Sequence, residues 1–276
     1  MNLKQIREGD LKPVLDTLEI VFSETGTDFY IIGALARDIW FSRGGKQFRA
    51  TKDVDFAVFV ASEEQYQRVR ELLNEKYGYK KSTENPYAII ATNNTELDIL
   101  PFGEIAIDDT VHVSGEAMTT IHVNGFEEVY RGGTQDIVLE TGHKFKIATL
   151  PSIVLLKLIA YDDRPEHRTK DPGDIALIIQ HYFHLQGEYI YNNYANEFSN
   201  DDENRSLQQI SAKIIGKEMQ KLCTTNPTLR ERLASIISRE ISAGENSHFI
   251  KRMVTESGTN VEEIISWLQE LHNGLT

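Results

Sequence analysis

A chain of 276 residues, 40% hydrophobic and 26% charged, has an ordinary globular composition and suits one large domain or two modest ones. Its formal net charge of −13 argues against a protein coated in basic residues for general nucleic-acid binding and leaves room only for a local basic patch. A single cysteine, Cys223, excludes an intrachain disulfide and a cysteine-based zinc site, and fits a reducing cytoplasm. The stretch Met1-Asn2-Leu3-Lys4-Gln5 leads into no apolar signal core, and no run of 18 apolar residues follows, so no membrane role is expected.

Leu11, Leu15, Leu18, Val21 and Phe22 recur at helical spacing and predict a helix over 11–23. Asp10 is its expected N-cap, and Pro13 falls in the first turn, where proline is tolerated. Phe29-Tyr30-Ile31-Ile32 reads as a short buried strand, ended by Gly33, with Ala34 to Trp40 as a helix start. A polar, basic loop from Ser42 to Lys52 carries Arg43, Lys46, Arg49 and Lys52, and can guide a triphosphate or an RNA phosphate. A strand follows through Thr51-Lys52-Asp53-Val54-Asp55-Phe56-Ala57-Val58-Phe59.

A charged helix over 62–77 comes next, then paired strands at Tyr87 to Ala91 and Glu96 to Leu100, joined by Asn93-Asn94. Segments near 111–113, 119–123 and 126–130 predict further strands at a sheet edge. From Leu150 the pattern becomes helical. An apolar helix runs from Pro151 to Tyr161, capped by Thr149 and interrupted only by Lys157. A charged connector, 162–172, precedes helices at 174–183, 205–222, 228–241 and 260–272. The expected fold is α/β (α+β): a mixed twisted sheet flanked by helices in the N-terminal half and a helical C-terminal half, with domains at 1–149 and 150–276.

Chemistry concentrates at a few positions. Asp53 and Asp55 are two apart on a strand, so they share a face, where two like charges repel unless a cation lies between them. Hard oxygen ligands at that spacing suit Mg²⁺ carrying substrate phosphates. Gly33, between a strand and a helix, lets backbone approach a phosphate while the helix N-terminus offers free N–H groups. Asp98 on a neighbouring strand can face the aspartate pair, though Glu96 shares its face by parity. Lys157 is a lone charge in an apolar helix, which either pairs with a phosphate or a carboxylate across a cleft or snorkels to the helix surface.

Ile32-Gly33-Ala34-Leu35-Ala36-Arg37-Asp38, then Thr51-Lys52-Asp53-Val54-Asp55, then Leu97-Asp98-Ile99-Leu100, resembles the motif order of the polymerase-β-like nucleotidyltransferase superfamily. The later Leu156-Lys157-Leu158-Ile159-Ala160, Arg164 and Lys170-Asp171-Pro172-Gly173-Asp174-Ile175 resemble the AbiEii family of bacterial nucleotidyltransferase toxins, which has a lysine and then an aspartate in its helical half. The likeness covers roughly residues 29 to 180. One departure is Ala34, where the superfamily has serine or glycine: the hydroxyl is lost and the backbone N–H donors stay.

The resemblance implies transfer of a nucleoside monophosphate from an NTP to a hydroxyl acceptor, with Mg²⁺ as cofactor. It makes Asp53, Asp55 and Asp98 the metal ligands and, with Lys157 and Asp171, the catalytic set. Asp174 rivals Asp171 for the family aspartate. Gly33, Ala34, Arg37, Lys52 and Lys157 become nucleotide-binding, with pairing to Asp38 an equal reading for Arg37. Residues 150–276 would complete the nucleotide cleft. Expected partners are an NTP, an acceptor (a tRNA 3′ end, a protein or a small molecule) and an antitoxin protein. The alternative is a catalytically weak nucleotide- or protein-binding member of the fold, for which Ala34 speaks.

Overall fold

The computed structural model of the chain describes residues 8–43, 45, 53–106, 110–113, 119–138, 142–198 and 205–276. They fall into two units, Met1–Thr149 and Leu150–Thr276.

The first unit is built on a mixed sheet of seven strands: β1 (Asp28–Ile31), β2 (Asp53–Phe59), β3 (Lys80–Lys81), β4 (Ala88–Ile90), β5 (Glu96–Phe102), β8 (Thr134–Val138) and β9 (Lys144–Ala148). Their order is β3-β4-β5-β2-β1-β9-β8. β2 runs parallel to β5, and β1 parallel to β9; the other neighbours are antiparallel. A second, two-stranded antiparallel sheet joins β6 (Thr110–Val113) to β7 (Thr119–His122). Around these lie α1 (Glu8–Thr25), α2 (Gly33–Arg43), α3 (Glu63–Glu75) and α4 (Phe126–Gly132).

Apolar periodicity explains how the helices seat. Val14, Leu15, Leu18, Val21 and Phe22 of α1 are buried at i, i+3 and i+4 steps. Phe22 meets Phe29 at 4.4 Å between ring centroids, and Phe29 meets Phe56 edge-on at 5.9 Å. α3 starts where Ser62 accepts the Gln65 N–H, with Glu63 and Glu64 in the first turn favoured by the helix dipole.

Several boundaries differ from expectation. α1 is already helical at Glu8, so Asp10 is not its cap, and Pro13 lies inside the helix, where it forgoes one backbone bond. The segment 126–130 is α4, not a strand: Gly125 turns the chain in the left-handed region at φ 84°, and Glu127 and Glu128 fill the helix's first turn. β6 and β7 form their own sheet, and the edge beside β1 is made by β9 and β8.

The second unit is helical: α5 (Leu150–Asp163), α6 (Asp171–Tyr194), α7 (Leu207–Leu222), α8 (Pro227–Ala243), α9 (His248–Ser257) and α10 (Val261–Leu275). α6 begins three residues before its expected start, and α9 was not expected at all. Each start has a local reason. Ser206 and Gln209 form a capping box on α7, and Asn226, Ser247 and Asn260 cap α8, α9 and α10. Among the described residues no helix is long and apolar enough to cross a membrane.

α7 and α10 pack through facing glycines. A Cβ on Gly216 would stand 2.2 Å from the Leu271 carbonyl oxygen, and one on Gly274 would stand 2.1 Å from that of Lys213. Helix propensity alone predicts that Gly216→Ala stabilises by about 1 kcal/mol. The packing predicts the opposite sign, a loss of about 1–3 kcal/mol from forced separation of the helices. Chemical denaturation of the two proteins reads the sign directly.

Candidate active site

The parallel pairing of β2 with β5 sets the site. Its register places Asp55 opposite Asp98 and Asp53 opposite Glu96. Paired residues on neighbouring strands share a face and lie about 5 Å apart along the ladder. On β5, Leu97 and Ile99 are buried, and Glu96, Asp98 and Leu100 are half-buried on the other face. Parity had left Glu96 and Asp98 as rivals. The register gives each a partner on β2, Glu96 across from Asp53 and Asp98 across from Asp55.

On the other side of β2 the chain leaves β1 and enters α2. The Ile32 N–H donates to the Asp55 carbonyl at 3.0 Å, which fixes the crossing point. Gly33 then takes φ +63°. A Cβ there would lie 2.0 Å from Asp55 Oδ2 and 2.9 Å from its Cγ, closer than any real contact. Glycine suits the backbone conformation, and any larger residue would displace the Asp55 carboxylate seated against it. Gly33 and Ala34 are both half-exposed. They open α2, whose leading N–H groups have no acceptor within the helix.

Arg37 and Asp38 face inward. Arg37 Nε and Nη2 donate to Asp38 Oδ1 at 2.9 and 2.7 Å, and both residues are buried. Of the two readings held for Arg37, the geometry shows the ion pair.

Two residues not singled out in the sequence build the surroundings of Asp98: Asn85 bonds to it, and Arg70 holds the strand beside it. Asn85 Nδ2 donates to Asp98 Oδ1 at 2.9 Å. Arg70, also buried, donates to the Tyr66 hydroxyl and to the Tyr87 and Ala88 carbonyls at 3.1, 3.1 and 3.4 Å. The Tyr66 phenol is pushed up to about 12: burial dominates, Arg70 pulls it back, and the charge of Asp98 adds to the rise. The sequence signal for Asn85 was its turn context, Asn85-Pro86, which speaks of a turn and not of a carboxylate partner. Arg70 sits on the buried side of an amphipathic helix, where its partners are backbone carbonyls that no pattern reveals.

Lys52 lies outside the described residues, and of Asp53 the backbone alone is described, in β2 two positions before Asp55. Among the described residues, no group of three or more His, Cys, Asp or Glu side chains is placed to hold a metal ion. Asp55 and Asp98 are the pair that the described side chains provide.

The second unit gathers Lys157, Asp171 and Asp174. Lys157 Nζ lies 2.5 Å from Asp171 Oδ1 and 2.7 Å from Asp174 Oδ2. The three side chains are 12%, 8% and 15% exposed. Both candidates for the later aspartate thus meet the same lysine, because α6 starts at Asp171 and puts Asp174 one turn on. Burial pulls the Lys157 ammonium down, but the two carboxylate charges and their hydrogen bonds outweigh it and hold its pKa above 10.5. Asp171 Oδ2 is buried without a hydrogen-bond partner.

No protein-family model matches the chain, and no curated protein is similar to it by sequence. Solved structures similar to it include two enzymes. One is the solution structure of the antibiotic-resistance factor ANT(2'')-Ia, 16% identical, covering 71% of this chain and 96% of that one with a TM-score of 0.39. The other is a tRNA-processing enzyme in an apo form, 14% identical, covering 94% of this chain and 80% of that one with a TM-score of 0.23.

Proposed function

We propose that the chain is a Mg²⁺-dependent nucleotidyltransferase that moves a nucleoside monophosphate from an NTP to a hydroxyl acceptor. The observation that carries this reading is the placement of Asp55 opposite Asp98 on parallel strands, with Gly33 pressed against the Asp55 carboxylate where α2 begins. The donor set fits a hard divalent cation: two carboxylates on one sheet face, in a cradle that any Cβ at position 33 would fill. Asp55 and Asp98 would hold the ion, together with Asp53 of the same strand. When bound, it lowers the pKa of an acceptor hydroxyl and offsets the charge of the leaving pyrophosphate.

The chain's own groups do the rest. The N–H groups of Gly33 and Ala34 orient the β- and γ-phosphates, since a helix N-terminus favours anions. Arg37 pairs with Asp38 in the buried second turn of α2. Asp98 accepts the proton of the attacking hydroxyl. The resemblance of the Lys157 and Asp171 segment to the AbiEii toxins supports a tRNA 3′ end slightly ahead of a protein or a small molecule as acceptor, and an antitoxin as partner. An acceptor end needs only a local basic patch, which is compatible with the net charge of −13.

Incubation with labelled NTPs, Mg²⁺ and total RNA tests the reading. Label enters RNA, and Asp98→Asn lowers the rate by about 100-fold, the scale of losing one preorganised electrostatic group. No transfer to RNA, protein or small hydroxyl compounds, with Asp55→Ala indistinguishable from the parent, overturns it. Growth arrest on expression, lost in Asp55→Ala, supports the toxin role. The second reading, a nucleotide-binding protein without transferase activity, rests on Ala34, which offers no hydroxyl to the triphosphate. Saturable NTP binding with no transfer would favour it.

A further inference from the structure

Asn85 sits between two partners that fix which way its amide points. Its Oδ1 accepts the Tyr87 N–H at 3.0 Å, and its Nδ2 meets Asp98 Oδ1 at 2.9 Å. A backbone N–H can only donate, so the oxygen must face Tyr87 and the NH₂ must face Asp98. The turn holding Asn85 is itself braced. Ser82 Oγ accepts the Glu84 and Asn85 N–H groups, both at 3.3 Å, and the Asn85 carbonyl accepts the Ala88 N–H at 3.0 Å. Behind it, buried Arg70 holds the Tyr87 and Ala88 carbonyls, so the strand carrying the turn is anchored to α3. A single amide thus links a rigid turn to the carboxylate facing Asp55.

We infer that Asn85 is a positioning residue for Asp98: its NH₂ holds Oδ1, sets the plane of the carboxylate, and keeps that oxygen a hydrogen-bond acceptor. This rests on the proposed metal site at Asp55 and Asp98. The last torsion of a carboxylate is broad and two-fold, so each partner that holds one of its oxygens narrows its orientation. A ligand held in one plane binds a small cation with demanding geometry better than one that must be oriented on binding.

Asn85→Asp separates this role from a structural one. The aspartate keeps an oxygen for the Tyr87 N–H and so preserves the turn, but it sets a carboxylate against Asp98 where a donor stood. The experiment measures Mn²⁺ binding calorimetrically, NTP transfer kinetics and the thermal midpoint for the parent, Asn85→Asp, Asn85→Ala and Asp55→Asn. For both Asn85 variants, Mn²⁺ affinity changes and kcat falls by about 10–100-fold, the usual scale for removing a ligand's outer partner. At saturating Mn²⁺, KM for the NTP stays within about twofold, because the N–H groups of Gly33 and Ala34 still hold the phosphates. Asn85→Asp lowers the thermal midpoint relative to the parent at neutral pH, where two carboxylates at that spacing repel, and the gap closes at low pH. If Asp55→Asn loses Mn²⁺ while Asn85→Asp binds and turns over like the parent, the positioning role is overturned and the metal site stands. If Asp55→Asn binds Mn²⁺ like the parent, the metal site fails and the role of Asn85 falls with it.

Discussion

Gly33→Ala lowers nucleotidyl transfer by about 1,000-fold, combining the loss expected from misplacing a reacting group by an ångström with that from losing oriented donors. Two independent features of position 33 add up. At φ +63° an L-residue carries left-handed strain of about 1–2 kcal/mol. The new Cβ also falls 2.0 Å from Asp55 Oδ2, a separation that cannot persist. Either Asp55 swings away from Asp98, or the start of α2 lifts off the strand and takes its N–H groups with it. Both outcomes strike the proposed site. Gly103 is the control, since it also has positive φ (+102°) and a crowded Cβ, 2.9 Å from the Phe59 ring, away from the carboxylates. Gly103→Ala therefore loses stability on a similar scale and keeps most of its transfer activity. Transfer rates and thermal midpoints of the two variants decide the matter. If they match in both, position 33 has no special tie to the site.

The requirement for glycine at position 33 was legible in part. Its place between a strand and a helix supplies one reason to need it, close approach of backbone to phosphate, but not the contact with Asp55, which depends on β1 and β2 being neighbours. Strand order is a long-range property that local periodicity does not carry. The same limit applied to Asp98. Alternation along Glu96-Leu97-Asp98-Ile99-Leu100 settled which residues share a face, and only the parallel register with β2 settled which of them meets Asp55. β9 was readable and missed: Phe145 and Ile147 are buried and alternate with Lys144 and Lys146, a strand pattern. β8 offered little, because as an edge strand it buries only Ile137 of its five residues. α4 misled because Phe126, Val129 and Tyr130 fit a strand or a single helical turn equally well until Gly125 fixes the entry. The mixed α/β first half and helical second half were fully legible, since they rest on periodicity summed over long stretches. Asn85 was beyond reach, because a polar turn residue advertises the turn and not the carboxylate it serves.

Lys157→Met destabilises the protein by about 3–5 kcal/mol, the cost of removing the cation that two largely buried carboxylates share. Lysine 157 is one cation against two carboxylates, with side chains only 8% and 15% exposed. Removing it leaves Asp171 and Asp174 facing each other across a desolvated gap, and Asp171 Oδ2 already lacks a hydrogen-bond partner. A triple variant, Lys157→Met with Asp171→Asn and Asp174→Asn, removes all three charges and recovers most of the loss, since replacing a whole buried ion cluster is often near neutral. The pH dependence gives a second, sign-specific test. The folded-state pKa of Lys157 is raised above 10.5, so the folded protein keeps this proton to higher pH than the unfolded chain does. Its stabilisation is fully present below the unfolded value of 10.5 and is lost as pH rises through the higher folded value. Other lysines and tyrosines titrate in the same window, so the informative quantity is the difference between parent and Lys157→Met. That difference stays constant from neutral pH to about 10 and shrinks above it, because the parent loses there what the variant never had. Urea denaturation at a series of alkaline pH values measures it. A difference that grows with pH, or a single variant as stable as the parent at pH 7, contradicts the ion cluster as the anchor between α5 and α6.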